Sequence, residues 1–248
     1  MRREPLPPSG GRTVFRMSLL EPVLVPLPFA VDYAPGEGGT LVMVFSSIGH
    51  DPDRMPEPEF RQMAVRGGRG ALFIRDASRS WANAPEFDSV IRSALHHAMS
   101  RQKVTRIVAI GVSMGAFSAL VAASLRPIDA VLAIGPQFSI DPAVLDEPRW
   151  RDHAQRIGIF RRPVCPLPAR PWICLMHGLA DDGMQAMSFP LQRGIDHILF
   201  DGITHGRLGP HLKQTGLQGL VDALVTGDRR RLLRIAIAAG GRRRQLPR

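Results

Sequence analysis

Residues 105–123, TRIVAIGVSMGAFSALVAA, constrain this chain more than any other stretch. A short apolar run, Arg106-Ile107-Val108-Ala109-Ile110, is rich in β-branched residues and of strand length. Gly111-Val112-Ser113-Met114-Gly115 follows, and then small and apolar residues (Ala116, Ser118, Ala119, Leu120, Ala122, Ala123) that suit a helix lying close on a sheet. The pattern predicts a sharp strand-to-helix turn with Ser113 at its apex. Glycines stand two positions either side because neighbouring backbones nearly touch there and leave no room for a Cβ. Such a turn lifts the serine hydroxyl above the sheet and aims the N–H groups and dipole of the following helix at it.

The remaining chain repeats the strand and helix alternation. Near-continuous apolar runs at 40–45, 71–74, 129–134, 172–176 and 197–200 read as buried strands. Residues 57–66, 87–101, 208–224 and 229–239 have helical spacing. Prolines mark 13–17 and 23–31 as two strands of an antiparallel edge. The expected architecture is α/β: a mostly parallel central sheet with helices on both faces. Residues 137–171 lose periodicity, collect Pro, Arg and Trp150, and read as a small cap excursion rather than a second domain. The expected organisation is a flexible start over 1–12, one domain over 13–227 and a basic tail over 228–248.

The net charge of +10 invites a nucleic-acid reading, but eight Arg against one Asp between Asp228 and Arg248 account for +7 of it. The charge therefore belongs to the tail, expected as a solvated end open to an anionic surface, and not to the domain. The two cysteines, Cys165 and Cys174, form no disulfide framework. Prolines and Glu21 break the apolar stretch 19–31, so neither a leader nor a membrane span is expected, and the expected location is cytoplasmic. No P-loop, dinucleotide fingerprint or zinc-spaced Cys/His cluster is present, so neither cofactor nor metal is implied.

A serine hydroxyl is a weak nucleophile at neutral pH and needs a base that a third group orients. Carboxylates and histidines at strand ends supply candidates in the order Ser, Asp, His. The residues Gly111-Val112-Ser113-Met114-Gly115, His177-Gly178-Leu179-Ala180-Asp181-Asp182 and Thr204-His205-Gly206 together resemble the α/β-hydrolase superfamily of serine hydrolases over about residues 13–225. That resemblance implies an α/β-hydrolase fold and an acyl-enzyme on Ser113, with His205 as general base. A family Gly-x-x-Asp loop maps onto Gly178 and Asp181, which makes Asp181 the orienting acid. The resemblance also implies an oxyanion hole from the N–H of Met114 and from the loop after strand 40–45, where Ile48 or Ser47 is the donor by position and the Ser46 hydroxyl adds a substrate contact.

Alternatives stay open. Asp182 competes with Asp181 as the acid or else serves as a loop or helix N-cap, and Asp76, at the end of strand 71–74, is a further competitor for the acid. His197 and His177 read as structural, His211 lies inside a covering helix, and His96 and His97 fall mid-helix. The loop Arg75–Asn83 offers Trp81 as a platform on which a sugar stacks, or else is simply pinned by its own Asp and Ser hydrogen bonds. The implied substrate is a small acyl compound, ester or thioester. Acyl transfer to a sugar or other hydroxyl, and a non-catalytic binding protein on the same fold, are the competing functions.

Overall fold

The computed structural model describes residues 20–245. The flexible start over 1–12 and the strand over 13–17 lie outside the described residues. Among the described residues nine strands form one sheet in the order β1-β2-β4-β3-β5-β6-β7-β8-β9. The strands β3 (Thr40–Phe45), β4 (Gly70–Asp76), β5 (Arg106–Val112), β6 (Ala130–Ile134), β7 (Trp172–Gly178) and β8 (Ile195–Phe200) run parallel. Antiparallel strands close both edges: β1 (Glu21–Val23) and β2 (Phe29–Ala34) at one, β9 (Arg242–Arg243) at the other.

The side-chain alternation of a strand puts Leu41, Met43 and Phe45 in the core on one face of the sheet, and Val42 and Val44 in the core on the other. The first face is covered by α2 (Phe87–Arg101) and α3 (Met114–Leu125). The second is covered by α1 (Arg61–Val65), α6 (His205–Thr215), α7 (Leu217–Thr226) and α8 (Arg229–Ala238). Strands buried on both faces have no polar side to show, which is why their sequences read as continuous apolar runs.

Two departures from the sequence reading matter. The covering helix expected over 208–224 is two helices, because Gly216 separates α6 from α7 where a Cβ would lie 2.7 Å from Ile235 Cγ2 of α8. The basic tail is not an appendage: α8 buries Leu232 and Ala236 against the sheet, and β9 extends the sheet itself. Four of its arginines have partners inside the fold. Arg229 and Arg243 bind the fully buried Asp196, Arg242 binds Asp201, and Arg244 donates to the carbonyls of Ala186, Met187 and Phe189.

The excursion over 137–171 holds a 3-10 turn (Pro148–Trp150), α4 (Arg151–Arg156) and loops latched to the body. Arg162 ties it to Ala82 and Asp88, Asn83 accepts from the Arg162 N–H, and Gln185 of α5 (Gly183–Ser188) takes the N–H of Phe138. Among the described residues, no helix is long and apolar enough to cross a membrane. Cys165 and Cys174 are free and buried.

Candidate active site

Ser113 sits at the turn between β5 and α3 with φ 55 and ψ −124, a conformation that L residues rarely adopt and that the surrounding packing must hold. The glycines are required as expected. A Cβ on Gly111 would lie 2.2 Å from the Gly115 carbonyl, and one on Gly115 would lie 2.1 Å from the Phe45 oxygen. The second contact presses the end of β3 and its loop against the first turn of α3.

Three strand ends meet above this turn. His205, the first residue of α6, places Nε2 3.0 Å from Ser113 Oγ and Nδ1 2.6 Å from Asp182 Oδ2. Its ring packs closely over Gly135, where a Cβ would lie 3.3 Å from His205 Nδ1. Asp182, not Asp181, is thus the carboxylate on the histidine. Asp182 does stand at the N-cap of α5 but makes no side-chain capping bond. Its side chain is 2% exposed, with Oδ1 2.9 Å from Arg149 Nη2. Burial works against its charge. The hydrogen bond and charge of His205, with help from His177 and Arg149, prevail and hold its carboxyl below the usual carboxylate range.

Asp181 does something else. It is half-exposed, accepts the backbone N–H of His205 at 2.6 Å and meets Arg149 Nη1 at 3.2 Å. It therefore anchors the start of α6, and with it the histidine, without touching the ring nitrogens. Arg149 itself binds Glu147, Asp182 and Asp181. The hydrogen bond from Arg149 is the main reason the Glu147 carboxyl titrates below its ordinary range.

Other expectations change as well. Asp76 is buried and accepts from the N–H and hydroxyl groups of both Ser78 and Ser80, so it pins its own loop and cannot serve His205. Trp81 is fully buried and no stacking platform for a substrate. It packs edge-on to Trp150 and against His153, and its indole N–H donates to Gln137 Oε1 at 2.8 Å. The Ser46 hydroxyl is taken by the Glu57 carbonyl, and both the N–H and the hydroxyl of Ser47 by Glu59. Ser46 and Ser47 are therefore not free to touch a substrate. Among the described residues the backbone N–H groups of Met114 and Ile48 make no hydrogen bond.

His177 and His197 form a buried pair beneath the site. His177 Nε2–H donates to Pro136 O at 2.8 Å, so its Nδ1 accepts from His197 Nε2–H at 2.9 Å. Burial pushes both imidazoles far below their ordinary pKa, His177 to about 4. His211 donates to Ala239 O.

The sequence reading missed three residues around Ser113. Trp150 lays its ring edge-on to His205, centroids 5.0 Å apart, and Arg149 grips Asp182 from the same turn. Gln137, just beyond β6, points Nε2 at Ser113 Oγ from 3.2 Å. All three belong to the excursion, which reaches directly over Ser113 and leaves it 4% exposed. No sequence pattern marks them. A cleft of about 360 Å³ between residues 78–86 and 156–161 does not reach Ser113, His205 or Asp182 and is no part of this site. Among the described residues, no group of three or more His, Cys, Asp or Glu is set to hold a metal.

Ser113 Oγ thus lies against one imidazole nitrogen of His205 while the other faces the buried carboxylate of Asp182. No protein-family model matches the sequence, and no curated protein does either. Solved structures do. Esterase 2 of Thermogutta terrifontis superposes with a TM-score of 0.57 at 17% identity, over 86% of this chain and 96% of that one. An esterase of Pyrococcus furiosus gives 0.58 at 13% identity, over 84% and 90%. An acylaminoacyl peptidase of Pyrococcus horikoshii gives 0.58 at 14% identity, over 84% of this chain but only 42% of that one. The sheet order, the helices on both of its faces and these superpositions agree: the chain has the α/β-hydrolase fold.

Proposed function

We propose that the protein is a serine hydrolase that cleaves an ester or thioester through an acyl-enzyme on Ser113. The observation that carries the proposal is the unbroken line Asp182–His205–Ser113, with heavy-atom separations of 2.6 and 3.0 Å. The imidazole then holds its proton on Nδ1, facing Asp182, and leaves Nε2 free to accept the Ser113 proton. Oγ bonds to the carbonyl carbon, and the developing oxyanion takes the N–H groups of Met114 and Ile48. The oxyanion collapses back to a carbonyl, the bond from that carbon to the leaving oxygen or sulfur breaks, and His205 passes its proton to the departing atom. His205 then takes a proton from water, the water oxygen bonds to the acyl carbon, and Oγ departs with a proton returned by His205. Asp182 stays ionised throughout and stabilises the imidazolium.

The substrate reading follows from the cover over the site. With Ser113 almost fully buried and the Trp150 ring against His205, the acyl group is short. The Thermogutta esterase, of the same fold, has been captured with propionate and with butyrate, and phosphonylated by sarin. The test is turnover of p-nitrophenyl acetate and butyrate in rapid-mixing experiments. The expected result is a burst of nitrophenol equal to the enzyme concentration, abolished in Ser113→Ala. Steady hydrolysis unchanged in Ser113→Ala would falsify the assignment.

A further inference from the structure

The Ser113 hydroxyl has two polar neighbours, and the second, Gln137, has no part in the reaction just described. Gln137 is 1% exposed, and its amide bridges Trp81 Nε1, which donates to Oε1 at 2.8 Å, and Ser113 Oγ, 3.2 Å from Nε2. Oxygen and nitrogen of a glutamine look alike in shape, but here chemistry tells them apart. An indole N–H only donates, so Oε1 faces Trp81 and Nε2–H faces Ser113.

Consider the hydrogens on Oγ. The hydroxyl carries one proton and two acceptor lone pairs. An N–H donated into one lone pair leaves the proton to point at His205 Nε2. His205 in turn donates through Nδ1 to Asp182. The line Trp81→Gln137→Ser113→His205→Asp182 therefore runs in one direction only, fixed by a group that cannot accept at one end and by a carboxylate that cannot donate at the other. Its Trp81 end is firmly held. Arg79, Trp81 and Ala82 all have left-handed φ (50, 49 and 58), and the bonds from Ser78 and Ser80 to Asp76 fix that loop. Its Gln137 end is held too, since the preceding Pro136 carbonyl accepts from His177 and the following Phe138 N–H donates to Gln185.

We propose that Gln137 is a catalytic residue that donates a hydrogen bond to Ser113 Oγ whenever negative charge gathers on that oxygen. The inference rests on the esterase reading. In acylation the Oγ–H bond breaks, its proton goes to His205 Nε2, and the new Oγ–C bond forms while Nε2–H of Gln137 steadies the oxygen. In deacylation the C–Oγ bond breaks, the electron pair returns to Oγ, and the same N–H meets it before His205 restores the proton. Gln137 transfers no proton itself. It differs from an oxyanion donor because it serves the nucleophile and not the carbonyl oxygen; like one, it acts on both half-reactions.

The experiment measures acylation and deacylation separately with p-nitrophenyl acetate, on active sites counted by the burst, in wild type and three variants. Gln137→Met keeps the length and removes the donor. The expected result is that both rate constants fall about 10- to 100-fold, a little less than for loss of an oxyanion-hole donor, while substrate affinity changes less than threefold. Gln137→Glu still accepts from Trp81 but presents an acceptor to Oγ, and falls further than Gln137→Met. Trp81→Phe removes the indole N–H that fixes the amide, and falls about tenfold. A buried amide with a structural role alone would lower the melting temperature in all three and leave acylation per active site within twofold of wild type, which overturns the proposal. If Gln137→Met does not fold, Gln137→Glu and Trp81→Phe give the same decision. The two failures are separable. A wild type with no Ser113-dependent burst sinks the esterase reading, whereas a normal burst that the variants share sinks only the role of Gln137.

Discussion

Replacing Asp182 by asparagine is the sharpest single perturbation of this site, because Arg149 dictates how the new amide must lie. Asp182 Oδ1 accepts from Arg149 Nη2 at 2.9 Å and Oδ2 from His205 Nδ1 at 2.6 Å. Asparagine has one acceptor and one NH₂ in their place. The guanidinium cannot accept, so the asparagine oxygen turns to Arg149 and its NH₂ to His205. A donor facing Nδ1 moves the ring proton to Nε2, where it faces Ser113 and blocks proton uptake. In a serine protease the same carboxylate-to-amide change lowers kcat about 10⁴-fold for this reason, and about 10⁴-fold corresponds to about 5.4 kcal/mol of barrier. Asp182→Asn is expected to show that loss in p-nitrophenyl acetate turnover. Asp181→Asn keeps an oxygen for the His205 backbone N–H and sits in partial solvent, so its expected loss is below about tenfold. Adding Arg149→Met to Asp182→Asn frees the amide to turn over, and recovers part of the activity. An Asp181→Asn variant as impaired as Asp182→Asn refutes this reasoning outright.

Three further predictions follow from the same structure. Unfolded His177 and His197 bind protons below about pH 6.5 while the folded pair stays neutral, to about pH 4 for His177. The unfolded state then holds more protons, so stability falls with falling pH across that window, by at most about 2.7 kcal/mol per pH unit for two histidines. Below it, Asp182 adds a further loss as its depressed carboxyl protonates. Urea melts from pH 7 to pH 4 check the slope, and a flat profile rejects the neutral pair. Removal of residues 228–248 strips Arg229 and Arg243 from Asp196, a carboxylate with no exposure. Stability should drop about 3–5 kcal/mol, and unchanged melting of the truncated chain would contradict the docked tail. Trp150→Ala removes the ring edge over His205 at a cost of about 3–5 kcal/mol in stability; octanoate turnover relative to acetate should rise, and an unaltered chain-length preference counts against Trp150 as the cover.

The parts of this protein legible in its sequence are those governed by local rules. Six parallel strands announce themselves because burial on both faces leaves only apolar runs, and the Ser113 turn because glycines are sterically required at Gly111 and Gly115. The choice between Asp181 and Asp182 was not legible from spacing. Adjacent residues on a turn point opposite ways, and the one that faces inward here is held by Arg149, 33 residues earlier in the aperiodic excursion. Trp81 stands among polar residues in the sequence, yet left-handed backbone at Arg79, Trp81 and Ala82 turns it into the core. Arg229, Arg242 and Arg243 read as solvated because Asp196 and Asp201, their acceptors, lie far back in the chain. Gln137 carries no motif at all, and only the folded chain brings it to Ser113.

The central claim is that Ser113 is an activated nucleophile. Covalent labelling by a fluorophosphonate, read by intact mass and by peptide mapping, tests it most directly. The account predicts one adduct per chain, on Ser113, absent in Ser113→Ala and slowed by several orders of magnitude in His205→Ala. A folded wild type that takes no label, or takes it on another residue, contradicts the account.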